Sequence, residues 1–142
     1  MSNGFSGLDQ MDLLMKKLTE LGKTIDNDTM EKALQAGAEV VKEKVETHPN
    51  IPVSKENKEH ARDHIEIQKV SDDQIDIGAV DEFFYLLFHE LGAKGGTYKG
   101  SDGRSYTTPN IDAKPFMRPA FESNQDEIER AMAEIIKREL GL

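Results

Sequence analysis

The sequence predicts an α+β domain in which helices pack on a small antiparallel sheet. Apolar residues recur at three- and four-residue steps near both ends of the chain, and two short segments in the middle alternate apolar and polar residues. The chain has 142 residues, 37% hydrophobic and 32% charged, and carries no internal repeat. This size and composition predict a single domain, residues 1–142, with a modest core.

Two helices are predicted at the start of the chain. An apolar stripe indicates an amphipathic helix over residues 9–23. A second stripe continues to about residue 46, and Asp28 followed three residues later by Glu31 predicts a capping box at its start. Gly37 interrupts this stripe, where glycine costs about 1 kcal/mol relative to alanine. We therefore expect another backbone to approach closely at Gly37.

The middle of the chain predicts a loop followed by two strands. Residues 47–63 are polar and contain two prolines, so they are either a solvated connection or an arm that reaches a neighbouring subunit. Residues 64–70 and 74–80 alternate apolar and polar side chains around a Ser-Asp-Asp turn. This pattern is typical of a hairpin with one buried face.

Residues 83–91 are apolar at almost every position and predict a short aromatic helix. A helix is favoured over a strand because Gly92 suits a C-terminal cap and because leucine, histidine and glutamate suit a helix. Four of the nine aromatic residues of the chain lie here, so we expect this helix to lie deep in the core.

Residues 92–112 predict a long, flexible, Gly-rich loop, although its tyrosines and threonines also allow a loose hairpin around Ser-Asp-Gly. Residues 92–118 contain five basic and two acidic residues, a local charge of +3 that leaves −12 on the remainder. A basic loop on an acidic body is either an ordinary surface loop or an arm that complements the next copy in a head-to-tail ring. The candidate interface residues are Lys94, Tyr98, Lys99, Arg104, Tyr106 and Ile111.

Residues 113–121 read Ala-Lys-Pro-Phe-Met-Arg-Pro-Ala-Phe. Pro115 and Pro119 fix their own φ angles and restrict Lys114 and Arg118, so this segment is predicted to be extended and stiff. Such an apolar segment favours docking over chemistry. If Arg118 is partly buried, its guanidinium should bond to a carboxylate or to backbone carbonyls.

The apolar side chains of this segment are predicted to hold the last helix to the core. They are Phe116, Met117 and Phe121. An apolar face at Ile128, Met132, Ile135, Ile136 and Leu140 predicts that helix, packed on the sheet.

Two sequence motifs carry a family resemblance. Phe84-Tyr85-x-x-Phe88-His89-Glu90-Leu91-Gly92 and the segment 113–121 together resemble the small tail-component, or neck, proteins of long-tailed double-stranded DNA bacteriophages and prophages. The order of the predicted elements agrees along most of the chain. One departure is Ala93, where the family often has threonine, but the turn depends on Gly92. The motif positions expected to be structural are Gly92, Pro115, Phe116, Met117, Arg118, Pro119 and Phe121.

This resemblance implies a structural virion protein and not an enzyme. It implies action at the neck or the head-proximal tail end, in head-tail joining or tail completion, as a ring with the sixfold symmetry of such tails. The implied partners are further copies of the chain, other neck and tail proteins, and genomic DNA that passes through without specific binding. The implied location is the virion, after assembly in the host cytoplasm.

Composition narrows the alternatives. The net charge of −9 disfavours a sequence-independent grip on nucleic acid, which needs lysine and arginine. The acidity either aids solubility or, in a DNA conduit, keeps the DNA sliding. The absence of cysteine excludes disulfides and thiolate ligands. No apolar run approaches the roughly 18 residues of a membrane span and the N-terminus lacks a signal-peptide pattern, so we expect cytosolic synthesis.

Catalytic patterns are incomplete. His60 and His64 would share a helical face, but the strand pattern argues against a helix there. His89-Glu90 begins like a zinc-protease motif, yet Ala93 stands where the second histidine is needed. No cofactor or metal is predicted. The alternatives are a small hydrolase-like enzyme that uses His89 and Glu90 beside the Gly-rich loop, and a nucleic-acid-binding module that uses that basic loop.

Overall fold

The computed structural model describes residues 7–53, 60–79 and 85–142, and it confirms the α+β fold. The helices are α1 (Gly7–Leu21), α2 (Asn27–Glu46), α3 (Leu86–Leu91), α4 (Met117–Glu122) and α5 (Gln125–Glu139), with a short 3-10 helix at Ala61–His64. The strands are β1 (Ile65–Ser71), β2 (Gln74–Ala79), β3 (Gly96–Lys99) and β4 (Ser105–Thr108).

Helices α1, α2 and α5 form the body of the domain, with α5 packed against both of the others. The predicted apolar stripes meet here, and the buried side chains of this cluster are Leu14, Leu18, Ala33, Ala133 and Ile136. Gly37 lies where α2 and α5 meet, and a Cβ added to it would lie 3.0 Å from Cγ of Met132. The expected close approach therefore involves side chains of α5.

The predicted capping box of α2 is wrong. Asp26 is the N-cap residue, and its Oδ1 accepts a hydrogen bond from the Thr29 backbone N–H at 2.7 Å. Asp28 lies inside the first turn, where its carboxylate pairs with Lys32 Nζ at 2.9 Å. The Glu31 carboxylate pairs with Lys69 Nζ at 3.0 Å, so it ties α2 to β1.

Strands β1 and β2 form the predicted antiparallel hairpin, with Ile65 opposite Ala79 and Ile67 opposite Ile77. Helix α2 packs on both strands, whereas α5 packs chiefly on α1 and α2. We therefore refine the prediction for the last helix: α5 belongs to the same fold but packs chiefly on α1 and α2 and less on the sheet. A second buried cluster joins α2, the sheet, α3, α4 and α5, and it contains Val41, Val45, Ile51, Ala61, Ile65, Leu86, Phe116, Ala120 and Ile128.

The loop predicted at residues 47–63 contributes to this second cluster. Ile51 is buried, and so is Ala61 in the 3-10 helix. Residues 54–59, six of the seventeen residues of the loop considered as a possible arm, lie outside the described part of the chain.

The helix predicted at residues 83–91 is observed as α3. The prediction that it lies deep in the core is wrong for the residues described. Leu86 is buried, whereas Leu87, Phe88 and Leu91 are exposed. Phe83 and Phe84 lie outside the described residues. A helix of six residues presents one narrow face to the core, so its apolar composition exceeds what it can bury.

Across the described ranges, no helix combines the length and apolar character needed to cross a bilayer.

Candidate functional site: an exposed hairpin and its anchored base

Strands β3 and β4 form a protruding hairpin, which confirms the hairpin considered for residues 92–112. Thr97 lies opposite Thr107, and Tyr98 lies opposite Tyr106. All strand residues are exposed, and among the described elements the strands make extensive contacts only with each other. The two tyrosine rings stack with their centroids 5.7 Å apart. We call residues 92–112 the arm.

The end of the arm is tied by Asp102. Its carboxylate accepts from the Tyr106 hydroxyl at 2.5 Å and from the Arg104 backbone N–H at 3.0 Å. Both hydrogen bonds, the tyrosine bond first, lower the pKa of Asp102, and the bond to Asp102 raises the pKa of Tyr106. Gly103 has φ of +77°, which favours glycine in this turn. The turn is therefore ordered by its own side chains.

The arm carries Lys94, Lys99 and Arg104 against Asp102 and Asp112, a net charge of +1. Arg104 is highly exposed, and its Nε lies 4.0 Å from the Asp102 carboxylate. Lys94, Lys99 and, just beyond the arm, Lys114 have no carboxylate partner within the described ranges. The candidate interface residues thus share one protrusion, and Ile111 lies at its base.

Backbone hydrogen bonds close the base of the arm. Ala93 and Ile111 exchange N–H···O bonds of 2.9 and 2.8 Å. Gly92 caps α3 with φ of +73°, and a Cβ there would lie 2.9 Å from the Ile111 carbonyl oxygen. The glycine predicted to end α3 is therefore also required by the close return of the chain.

Glu90 joins α3 to the segment after the arm. Its Oε2 accepts from the backbone N–H groups of Phe116 and Met117 at 2.8 and 3.0 Å, and its Oε1 accepts from the N–H of Arg118 at 2.8 Å. The Lys114 N–H donates to the His89 carbonyl at 2.7 Å. The carboxylate thereby satisfies three amides at the start of α4.

The Glu90 carboxyl has a lowered pKa. Partial burial opposes ionisation, but the three amide donors outweigh it, and His48 adds a smaller Coulombic contribution. The anchoring carboxylate is therefore ionised at neutral pH.

The prediction that residues 113–121 are extended throughout is wrong, because α4 begins at Met117. Pro119 falls in the first turn of α4, where proline is tolerated. Phe116 is fully buried, whereas Phe121 is 51% exposed. The Arg118 side chain is exposed and its Nε bonds to the Glu122 carboxylate at 2.9 Å.

An apolar groove opens between α2, β2, α4 and α5, with a volume of about 340 Å³. Its lining includes Leu34, Val41, Ile75, Met117, Phe121 and Met132. The segment 113–121 thus forms one wall of the groove as well as part of the core.

The histidines considered for catalysis lie in two elements, His60 and His64 at the 3-10 helix and His89 in α3. His60 precedes the 3-10 helix that contains His64. The His89 ring packs edge-to-face with Tyr85, with the ring centroids 6.4 Å apart. Among the described residues, no group of three His, Asp or Glu side chains could hold a metal ion.

Sequence reasoning missed the role of Glu90. Its partners are backbone amides 26 to 28 residues further along the chain, so no side-chain pattern points to them. The available signal was the pairing of Glu-x-Gly with the later Pro-Phe-x-Arg-Pro motif, which the structure brings into direct contact.

Comparison with known proteins covers the first of the two motifs, residues 84–92, and ends before the segment 113–121. The model of the family described as "Bacteriophage HK97-gp10, putative tail-component" matches residues 12–92, more than half of the chain. No curated protein and no solved structure matches the chain. The matched region ends at Gly92, so it includes α2, the sheet and the Glu90 anchor. The chain belongs to the HK97-gp10-like family of bacteriophage tail components.

Proposed function

We propose that this protein is a non-enzymatic structural subunit of the phage neck or head-proximal tail end, acting in head-tail joining or tail completion. The observation that carries the proposal is the arm, an ordered hairpin whose strand residues are all exposed, in a member of a tail-component family. Its partners are further copies of itself and other neck and tail proteins.

The arm is evidence for a role in assembly, because few contacts with the rest of its own subunit stabilise it. An isolated two-stranded hairpin is marginally stable in water. Tyr98 and Tyr106 together expose a large aromatic surface that a neighbouring protein would cover. The turn ordered by Asp102 reduces the entropy lost when the arm docks.

A ring is the assembly that fits these features. The arm and the surface that receives it are different parts of one chain, so when each is used with a different neighbour the contact is heterologous and forms either a closed ring or an open filament. We propose a closed ring of six copies around the DNA path. The net charge of −9 suits a lumen through which DNA passes without specific binding.

The Glu90 contacts favour this role over the enzyme alternative. Both carboxylate oxygens accept backbone N–H bonds and the pKa of Glu90 is lowered, whereas a general base at neutral pH needs a free oxygen and a pKa near 7. Glu90 is therefore assigned to holding the fold.

The proposal is tested by silencing this reading frame in the source phage or prophage and counting particles by negative-stain electron microscopy. We expect filled heads beside separate tails, or tails of abnormal length. A plasmid copy of the gene is the control and should restore joined particles. Normal, infectious virions in the silenced lysate would refute the proposed role.

The arm is tested in the same lysate. A plasmid copy with Tyr98→Ser and Tyr106→Ser should fold but fail to restore joined particles. A matched copy with Thr19→Ala, an exposed position on α1, should restore them. Full restoration by the tyrosine variant would remove the arm from the proposal.

A further inference from the structure

We infer that the arm of one copy docks on the outer face of the β1–β2 hairpin of a second copy. This inference rests on the proposed function and names the receiving surface. It follows from the charge and the shape of two surfaces that do not meet within one subunit.

The receiving face is defined by the strand register. Ile65 and Ile67 face α2 and the core, so the residues between them face outward. On this outer face Glu66 lies opposite Gly78, and Gln68 lies opposite Asp76. The β1–β2 pair is a two-stranded sheet, so within the described ranges no further strand covers either edge.

Gly78 gives this face a depression. A Cβ added at Gly78 would have no atom of the described residues within 4 Å, and a cavity of about 380 Å³ lies over Glu66, Gln68, Asp76 and Gly78. The missing side chain leaves room for a long side chain from outside. The depression runs along β2, whose free edge can add strands from another chain.

The charges of the two surfaces are complementary. Among the described residues Glu66 has no cationic partner, and Asp76 accepts only a 3.3 Å bond from the Gln74 side chain. The arm presents Lys99 and Arg104 on either side of its turn. Lys99 has no carboxylate partner in the described ranges, and Arg104 has only the 4.0 Å contact within the turn. Opposite charges of this kind set register and speed association.

The two surfaces have to come from different copies. Among the described elements, strands β3 and β4 make extensive contacts only with each other, whereas the β1–β2 hairpin contacts α2. The basic turn and the acidic depression stay apart in one subunit. Each can pair with the opposite charge on a neighbouring copy. The same contact repeated head to tail builds the proposed ring.

The apolar groove is the competing receiving surface, since the tyrosines of the arm would suit it. Its flanking charges are already paired, with Lys44 Nζ 3.1 Å from the Glu127 carboxylate and Lys69 Nζ 3.0 Å from the Glu31 carboxylate. The carboxylates of Glu127 and Glu31 are therefore already neutralised and offer the basic turn no unpaired negative charge. The outer face of the sheet is favoured for this reason.

The absence of native cysteine permits a direct test by disulfide crosslinking. Ser101→Cys places a thiol in the turn of the arm, and Gly78→Cys places one in the depression. Mixed under oxidising conditions, the two full-length variants should give a covalent dimer, while each alone should not. A chain with both substitutions should give a ladder whose largest closed species reports the number of subunits.

Three crosslinking outcomes would overturn the inference. Crosslinking of Ser101→Cys to Leu34→Cys in place of Gly78→Cys would put the arm in the apolar groove. Crosslinking of Gly78→Cys to itself would indicate a symmetric dimer. A wild-type protein that stays monomeric up to about 1 mM would rule out this self-contact, because no useful affinity remains above that value.

Charge reversal provides an independent test on the same protein. Asp76→Lys and Lys99→Glu should each weaken self-association about tenfold, and the double variant should recover most of the loss. Circular dichroism and thermal unfolding should be unchanged in all three. Equal losses in the single and double variants would refute the pairing. The phage lysate phenotype is measured separately, so this contact can fail while the virion role stands.

Discussion

The region around Phe116 and the arm that precedes it differ in how they are held. Phe116 is fully buried among residues of several elements, and the adjacent amides bond to Glu90. The arm has exposed strands and is held by its own cross-strand contacts and by a closed base. If the arm is the association surface, as proposed, stability and association reside in neighbouring but separate parts of the chain, and substitutions should separate the two properties.

The largest expected effect is that of Phe116→Ala. Truncating a fully buried phenylalanine should lower the free energy of unfolding by about 3–5 kcal/mol, because it removes apolar contacts and leaves a cavity. Phe121→Ala is the matched control and should cost clearly less, since Phe121 is 51% exposed. Urea unfolding followed by circular dichroism measures both. Equal losses would break the distinction between the two phenylalanines.

Glu90→Ala should be the next most destabilising change. It leaves three amides at the start of α4 without their acceptor, and we expect a loss of about 2–3 kcal/mol. Glu122→Ala is the matched control, because it removes an exposed carboxylate that pairs only with Arg118 among the described contacts. Thermal unfolding of both variants is the measurement. A Glu90→Ala protein as stable as the control would show that the anchor contributes nothing.

Acid should weaken the same anchor. The folded-state pKa of Glu90 lies below the ordinary glutamate value of about 4.3, so its contribution is complete above that value and is lost as the pH falls through the lowered pKa. The wild type should therefore lose stability more steeply than Glu90→Gln between about pH 5 and pH 3. Parallel stability curves across this range would contradict the assigned role of the carboxylate.

Asp26→Ala should cost about 1 kcal/mol, because the side chain of Asp26 caps α2. Asp28→Ala removes an exposed ion pair with Lys32 and should cost only a few tenths of a kcal/mol. Urea unfolding of the two variants distinguishes the observed cap from the one that the sequence predicted. A larger loss for Asp28→Ala would support the predicted capping box.

The smallest effect on stability should come from the arm. Lys99→Ala changes an exposed, unpaired side chain and should alter the free energy of unfolding by less than about 0.5 kcal/mol. The same variant should still weaken self-association, measured by analytical ultracentrifugation. A large loss of stability would show that the arm is part of the folding unit and is not separate from the region around Phe116.

Periodic elements were the part of the fold that the sequence predicted well. The first helix was predicted at residues 9–23 and is observed at Gly7–Leu21, and the strands agree to within about a residue, because a buried face repeats at a fixed interval. The burial of α3 was mispredicted, since composition does not say how much of a six-residue helix finds a partner.

The site was only partly accessible to sequence reasoning. The arm and its basic residues could be read from glycine content and charge, whereas the Glu90 anchor could not, because a carboxylate that binds amides has no partner side chain. The sequence did not point to the cap at Asp26, because Asp28 and Glu31 have the spacing of a capping box. In the structure these two carboxylates instead form ion pairs with Lys32 and Lys69.

The anchor at Glu90 also determines where a mechanical load would go. The two ends of the arm are joined at Ala93 and Ile111, and just outside them His89 and Glu90 hold Lys114 and the start of α4. A pull on the arm would have to stretch several of these bonds at once before it could peel the chain from the core. A subunit built in this way could bear tension at its edge while its helical interior stays undisturbed.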